Sequence, residues 1–280
     1  ILNYIQNKAG LTHLDYAIGT HPHEDHIGSL DSVLETVSVD TVMLPNVTAN
    51  TQTFRDVLNV IDEKGLSITI PEVGDTYTLG DASFTILGPV SDYGDDLNNW
   101  SIALKLTYGN VSFLFTGDAE STAEADMLNT ALDLGADVYQ VGHHGSRTSS
   151  SSAFLDAVAP KYAVISCGVG NDYGHPHQET LDALSSRGIE IYRTDLQGSI
   201  VASTDGSSIS FTTAFGNDSS SSASDGQDTD RSAGAVSDDS SYSQDNTASG
   251  DDPIVHITKT GEKYHSAGCR YLKKSDSEVT

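Results

Sequence analysis

Residues Thr20 to Gly28 read THPHEDHIG, which packs three imidazoles and two carboxylates into the positions from His21 to His26. Imidazole and carboxylate without thiolate form a donor set for Zn, Mn or Fe, and this many donors can hold two ions. In an extended loop alternate side chains share a face, so His21, His23 and Asp25 are expected to converge. His26 then opens the following turn toward the same cavity. A polar surface loop with incidental histidines is the bland reading, and this density of donors weighs against it. Asp118 closes the apolar run VSFLFTGD and stands at a strand end, although taken alone it reads equally well as a helix N-cap. Further along, Gly142 to Ser150 read GHHGSRTSS. This segment adds His143 and His144, two glycines that allow close backbone approach, and a Ser/Thr run suited to capping a helix. Backbone N–H groups at such a helix start hold phosphate well. Arg147 is one of only 8 basic residues before position 216, so its place beside these histidines suggests an anionic substrate. His175 and His177 share a separate loop, DYGHPHQ, where a plain surface histidine is the simpler reading for His177. Trp100, the single Trp, reads as packing rather than as a stacking platform.

These residues need elements to position them. LDYAIGT is a strand candidate leading into the His-rich loop, and SLDSVLETV is an amphipathic helix after it. VDTVMLP, LSITI, TYTL, SFTILG, SIALKLTYG and VSFLFTG read as strands, with TFRDVLNVIDEKG a helix closed by Gly65. Tyr108-Gly109-Asn110-Val111 has the composition of a hairpin turn. A helix follows Asp118, and then strands ADVYQVG, KYAVISCG and IEIYRT alternate with helices SSAFLDAVA and HQETLDALSSRG. GSIVAST and SSISFT form a closing pair. Mixed sheets with helices on their outer faces, an α/β sandwich, are the packing this order implies.

Composition divides the 280 residues in three. Residues 1–215 carry a net charge of −20 and the apolar patterning of a folded domain. Residues 216–252, rich in Ser and Asp with a net of −8, lack the large apolar side chains that offset ordering entropy and read as a disordered linker. Residues 253–280 turn aromatic and basic, with a net of +2. With 14 Lys plus Arg against 40 Asp plus Glu, the chain disfavours bulk electrostatic binding to duplex DNA or anionic membranes. No apolar run is long enough to span a membrane, and two cysteines cannot staple a small scaffold. Cys167 reads as a small buried residue.

The segment HPHEDH resembles the H-x-H-x-D-H signature of the metallo-β-lactamase fold. FTGDAE around Asp118, VGHHGSRTSSS around His143 and NDYGHPHQETLDAL around His175 resemble the hydrolase domain of ComEC-type DNA-uptake proteins and their stand-alone relatives. The resemblance runs from Ile1 to about Phe211 and implies an αββα sandwich with a two-metal site. His21 and His23 would hold one ion, Asp25 and His26 the second, and Asp118 would bridge both. His143 would complete the second ion's donors, with His144 as the alternative candidate. Two divalent ions, Zn or Mn, would acidify a water for attack and stabilise the developing oxyanion. The resemblance makes Asp25, Asp118 and His175 the catalytic set, with His175 a proton donor or phosphate contact. His144, Ser146, Arg147 and Asn99 would meet the substrate.

The chain departs from that pattern in two places. The fold usually supplies a further His ahead of the bridging Asp, but residues 95–101 read DDLNNWS, where Asn98 or Asn99 would stand in. Fewer nitrogens favour a weaker first site and a harder ion such as Mn. The fold also normally opens with strands, whereas ILNYIQNKAG reads as its first helix. The N-terminal strands are therefore expected to be missing and a sheet edge to be unpaired.

Lys263 to Lys274 resemble a short YHxxxCxYLKK module appended to some secreted bacterial nucleases and hydrolases. The chain ends soon after it, so the module is expected to be truncated. His265 and Cys269 are too few donors for a structural Zn site. The leading expectation is metal-dependent cleavage of phosphodiesters, in single-stranded DNA or a nucleotide. Lactam or lactone hydrolysis on the same fold and a non-catalytic exported binding module are the alternatives. Linker and tail suggest an extracellular or cell-surface location, and no protein partner can be inferred.

Overall fold

The computed structural model describes residues 1–215 and the backbone of residues 254–257. The acidic stretch and the remainder of the tail, read above as linker and appended module, lie outside the described residues. Strands β1 (His13–Ile18), β2 (Ser38–Met43) and β3 (Ile68–Thr69) form a parallel sheet in that order. Helices α1 (Glu24–Ile27), α2 (Leu30–Thr36) and α3 (Gln52–Glu63) lie in its crossovers. A second sheet holds β4 (Thr76–Leu79), β5 (Ala82–Gly88), β6 (Ala103–Tyr108), β7 (Val111–Phe115), β8 (Val138–Gln140), β9 (Tyr162–Ile165) and β10 (Glu190–Arg193). Its spatial order is simply sequential, antiparallel from β4 to β7 and parallel from β7 to β10. The parallel half requires crossovers, which carry α4 (Ser121–Leu128), α5 (Ser152–Val158) and α6 (Gln178–Ser185). After a short α7 (Thr194–Gln197), β11 (Ile200–Thr204) pairs on both sides, with β12 (Ile209–Thr213) and β13 (Ile254–Ile257).

Strand alternation sets the layers. In β7, Val111 and Phe113 face the core between the sheets, while Leu114 faces the helices. In β9, Val164 faces the other sheets and Ala163 and Ile165 face α5 and α6. On the opposite side Val42, Phe54, Val57 and Ile61 pack α3 against β2. The result is the αββα sandwich that the resemblance implied.

Four elements differ from the sequence reading. The N-terminal segment forms only a π-helical turn, Tyr4–Lys8, with no buried residue to anchor a longer helix. LSITI is trimmed to two paired residues, because Pro71 removes a ladder donor and Ile68 and Ile70 stay exposed. Neither α7 nor β13 was anticipated. The hairpin is as expected: Tyr108 pairs with Val111, and Gly109 takes a φ of 59°.

The start of α5 has a cap supplied from another helix. Glu124 of α4 is buried, and its carboxylate accepts the backbone N–H of Ser150 and, at 2.9 Å, that of Ser151. Burial pushes its pKa up against the pull of these bonds. Glu124→Gln is expected to cost about 1–3 kcal/mol, because the amide turns a donor toward one of the two N–H groups. A lower urea midpoint at unchanged slope would show it. A midpoint matching the parent's would mean the carboxylate does not hold this end.

Candidate metal centre

The donors gather where β1, β7, β8 and β9 end. After β1 the chain runs through Thr20 to His23 and then enters α1, so Asp25 and His26 sit on a helical turn rather than in an extended loop. The alternation expected for His21, His23 and Asp25 therefore breaks at Glu24. His21 and His23 still meet, with Nε2 of the first 3.0 Å from Nδ1 of the second. Asp25 turns instead toward His26 and His144.

Asp118 follows β7 through Thr116 and Gly117. Gly117 has a φ of 53°, and a Cβ there would lie 2.8 Å from Ser101 Oγ, so this position tolerates only glycine. The N-cap of α4 is Glu120, not Asp118, which removes the capping reading of the aspartate. Asp118 is 3% exposed. Its Oδ1 lies 3.1 Å from His26 Nε2 and 3.6 Å from His144 Nε2, and its Oδ2 lies 3.7 Å from His21 Nε2.

Two donor sets result. One comprises Asp25, His26, Asp118 and His144, the other His21, His23 and Asp118, with donor atoms in each set within 4.8 Å of one another. The carboxylate common to both is the one expected to bridge. Of the adjacent histidines, His144 falls within the second set, whereas His143 lies outside both groupings with its Nε2 3.8 Å from Asp118 Oδ2. The backbone explains this. His143 and His144 both adopt left-handed conformations, φ 49° and 55°, which send consecutive side chains different ways. His144 Nδ1 donates to the Ser166 carbonyl at 2.8 Å, which turns Nε2 inward, 3.2 Å from His26 Nε2 and 3.1 Å from Asp25 Oδ2, where a metal ion would replace its proton. Such a backbone anchor on the far ring nitrogen is the usual support of a metal-binding imidazole.

The fit of a divalent ion rests on one atom above all. Asp118 Oδ1 is buried and has no partner at hydrogen-bond geometry, although imidazole nitrogens surround it. A buried, ionised carboxylate ringed by imidazole nitrogens needs positive charge beside it, which a divalent ion supplies. The titration of the site points the same way. Burial, then His26, lowers the His21 pKa to about 3, so its ring is neutral. Burial would raise Asp118, but His26, His144 and His21 more than offset it and hold the group ionised. Against its burial, His144 is raised to about 9 by Asp25 and Asp118.

The remaining expected contacts divide. Asn99 is buried, donating to Asp96 at 2.6 Å and accepting the Glu120 N–H at 2.9 Å. Ser146 is buried in a turn with Thr148. Both therefore brace the loops rather than face a substrate. Asn98 donates weakly to Glu120 at 3.3 Å and keeps a buried, partnerless Oδ1. Arg147 stays exposed, steadied by Glu179 at 3.3 Å and by His177, whose Nδ1 accepts the Arg147 N–H at 3.1 Å. His177 is thus a support, not an incidental surface group. His175 stacks near both loop histidines, and burial, then His143 and His177, lowers its pKa to about 4. Trp100 donates to Gly94 and packs edge-on against Tyr93, as a packing residue should.

Ser101 is the residue sequence reading missed. Its Oγ accepts the Asp118 N–H at 2.9 Å and lies 3.2 Å from His21 Nδ1, joining two donors that are 97 residues apart in sequence order from His21 to Asp118. No local pattern marks that serine.

The metallo-beta-lactamase superfamily model matches residues 4–169. The chain is 35% identical over 68% of its length to ComE operon protein 3 of Bacillus subtilis, of which it covers 25%. It is 30% identical over 69% of its length to competence protein ComA of Neisseria gonorrhoeae, covering 26%. To recombination protein 2 of Haemophilus influenzae it is 28% identical over 71%, covering 23%. The chain therefore spans about a quarter of the length of these relatives. Among the described residues no helix is long and apolar enough to cross a membrane. Sequence match, layered sheets and shared aspartate agree, and the chain belongs to the metallo-beta-lactamase superfamily, with ComEC-type competence proteins as its homologues.

Proposed function

We propose that this chain is a metal-dependent hydrolase that cleaves phosphodiester bonds, in single-stranded DNA or a nucleotide. The observation that carries the reading is the buried Asp118 carboxylate shared between two donor sets. His21, His23 and Asp118 would hold one divalent ion, and Asp25, His26, Asp118 and His144 the other. Zn or Mn suits these donors, with Mn favoured where only two imidazoles serve. Bound ions would supply an activated water near neutral pH and a counter-charge for the developing oxyanion. The residues of the chain do the rest. Ser101 fixes His21 and Asp118 relative to each other, and the Ser166 carbonyl fixes His144. Arg147, held by His177 and Glu179, offers a cation at the rim for a phosphate. His175 stands beside the loop histidines as a proton donor or phosphate contact.

A net charge of −26 repels a polyanion at long range, which favours a small or single-stranded substrate gripped locally over a duplex bound along a face. The names of the relatives speak of competence and recombination, and these support DNA as the substrate. The direct test is cleavage of labelled single-stranded DNA by the full chain with Mn, with Zn, and after chelation. Metal-dependent cutting abolished by chelator is expected. A folded, metal-loaded chain that leaves DNA and nucleotide diesters intact would overturn the reading.

A further inference from the structure

Among the described residues, Tyr173 is the most exposed large hydrophobic side chain, at 78%, and it sits on the loop that borders the metal centre. We propose that its outer face is a stacking platform for a nucleobase, placed beside the phosphate that the centre would hold. The inference rests on the proposed hydrolytic reading for the phosphate end of the ligand, and on the geometry of the loop for the base.

Aromatic rings step outward from the centre. His144, a member of the four-residue donor set, has its ring centroid 6.3 Å from that of His175, at an interplanar angle of 26°. His175 in turn stacks on Tyr173 at 5.6 Å and 22°. One face of the phenol ring is therefore covered by imidazole, and its high exposure leaves the other to solvent. The loop fixes this arrangement before any ligand arrives. Asn171 Nδ2 donates to Gly168 O at 3.0 Å and to His175 O at 2.6 Å, and Asn171 Oδ1 accepts the His175 N–H at 2.9 Å. Gly174, with a φ of 70°, turns the chain between the two stacked rings. His177 N donates to Gly145 O at 2.9 Å and ties the loop to the segment that carries His144. A ring already held in its binding pose loses little freedom when a ligand lands on it.

The chemistry of the loop selects a base over a phosphate. Residues 168–177 read GVGNDYGHPH, without Lys or Arg, and Asp172 is exposed next to Tyr173 in sequence. An anion is repelled there, whereas an uncharged π-face is accepted. The cation lies elsewhere on the same rim. Arg147 Nη2 is 3.3 Å from His177 Nε2, and His177 packs edge-on against His175 at 4.9 Å. Tyr173 and Arg147 thus both connect to His175, the first directly and the second through His177. An aromatic face and a guanidinium joined in this way match the two halves of a nucleotide, base and phosphate. Stacking also needs no favourable long-range field, which a chain of net charge −26 does not offer a polyanion.

Binding of uncleaved ligands tests the platform apart from catalysis. The probes are a phosphorothioate-linked deoxyadenosine hexamer, an abasic hexamer of the same length and backbone, and free dAMP against deoxyribose 5-phosphate, each titrated into the full Zn-loaded chain. The parent is expected to bind a base-bearing probe roughly 5–100-fold more tightly than its base-free counterpart. Tyr173→Ala is expected to lose that ratio while keeping the parent's Zn content and its affinity for the base-free probe, and Tyr173→Phe to keep the ratio. A strand and a free nucleotide present the same face, so a Tyr173-dependent gain with either probe supports the platform and names the source of the base. On a cleavable strand, Tyr173→Ala is expected to raise KM by a similar factor with kcat nearly unchanged. A parent that binds base-bearing and base-free probes alike, or a Tyr173→Ala chain that keeps the full preference, would overturn the platform. If the preference depends on Tyr173 but no diester is cleaved, the hydrolytic reading fails and the platform stands.

Discussion

Asp118→Ala is expected to abolish diester cleavage, by on the order of 10³-fold or more, and to leave the protein unable to retain its metal. Its two oxygens divide between the donor sets, Oδ1 toward His26 and His144, Oδ2 toward His21. Removing the carboxylate takes the shared donor from both sets at once, leaving one with its two imidazoles alone and the other with Asp25 as its only anion. Losing one of four donors to the second set, as in His26→Ala, should be milder. Asp118→Asn is the sharper control. It keeps the shape and the Ser101 bond to the backbone N–H, so any loss reports the charge. Metal analysis and cleavage of single-stranded DNA on the same samples are the measurements. Asp118→Ala protein that holds its full metal content and cuts at the parent rate would sink the bridging role and the mechanism with it.

The second large effect concerns the chelated protein. In the absence of metal, its stability is expected to peak near pH 6.5 and to fall on both sides. On the acid side the cause is His21. Its folded-state pKa is lowered to about 3 by burial and then by His26, while the unfolded side chain titrates near 6.5. The unfolded chain therefore binds more protons between these values, and stability falls as pH drops through the window, by roughly 1.4 kcal/mol for each pH unit. His175, lowered to about 4, adds in the same direction. On the alkaline side the cause is His144, raised to about 9 by Asp25 and Asp118. Here the folded state binds the extra proton, so its contribution is complete below pH 6.5 and is lost as pH rises toward 9. A bound cation takes the place of that proton, so metal should flatten the alkaline limb and raise the midpoint throughout. Urea titrations from pH 5 to 9, with and without chelator, read this directly. A chelated protein equally stable at pH 5 and pH 6.5 would contradict the acid limb, and an alkaline limb that His144→Gln leaves in place would contradict the other.

Much of this was legible in the chain itself. The His-x-His-x-Asp-His run is local, and its donors cannot be far apart in any fold. Asp118 was readable because an apolar strand places its following residue at a sheet end, where loops meet. Strand alternation and Gly/Pro punctuation located nearly every element, since side-chain periodicity of 2 or 3.6 is a local property. Misses occurred where pairing over long distances decides. LSITI has strand composition, but only two of its residues find partners. The partner of β11 in the tail lies some fifty residues away, beyond a stretch with no pattern of its own.

The site shows the same division. The types and spacing of residues determined the chemistry, an imidazole–carboxylate centre on an α/β sandwich. Only the tertiary structure decided which residue plays which part. Two adjacent histidines are equivalent in sequence, and left-handed backbone angles forced by neighbouring loops send His144 to the donors and His143 to Glu120. Asn99 and Ser146 have the polarity of substrate contacts, yet burial commits their hydrogen bonds to the scaffold. Ser101 binds His21 to Asp118 from a separate strand entry, a pairing that no window of sequence contains. Local patterns record what a residue can do, whereas its orientation is set by contacts with segments far away along the chain.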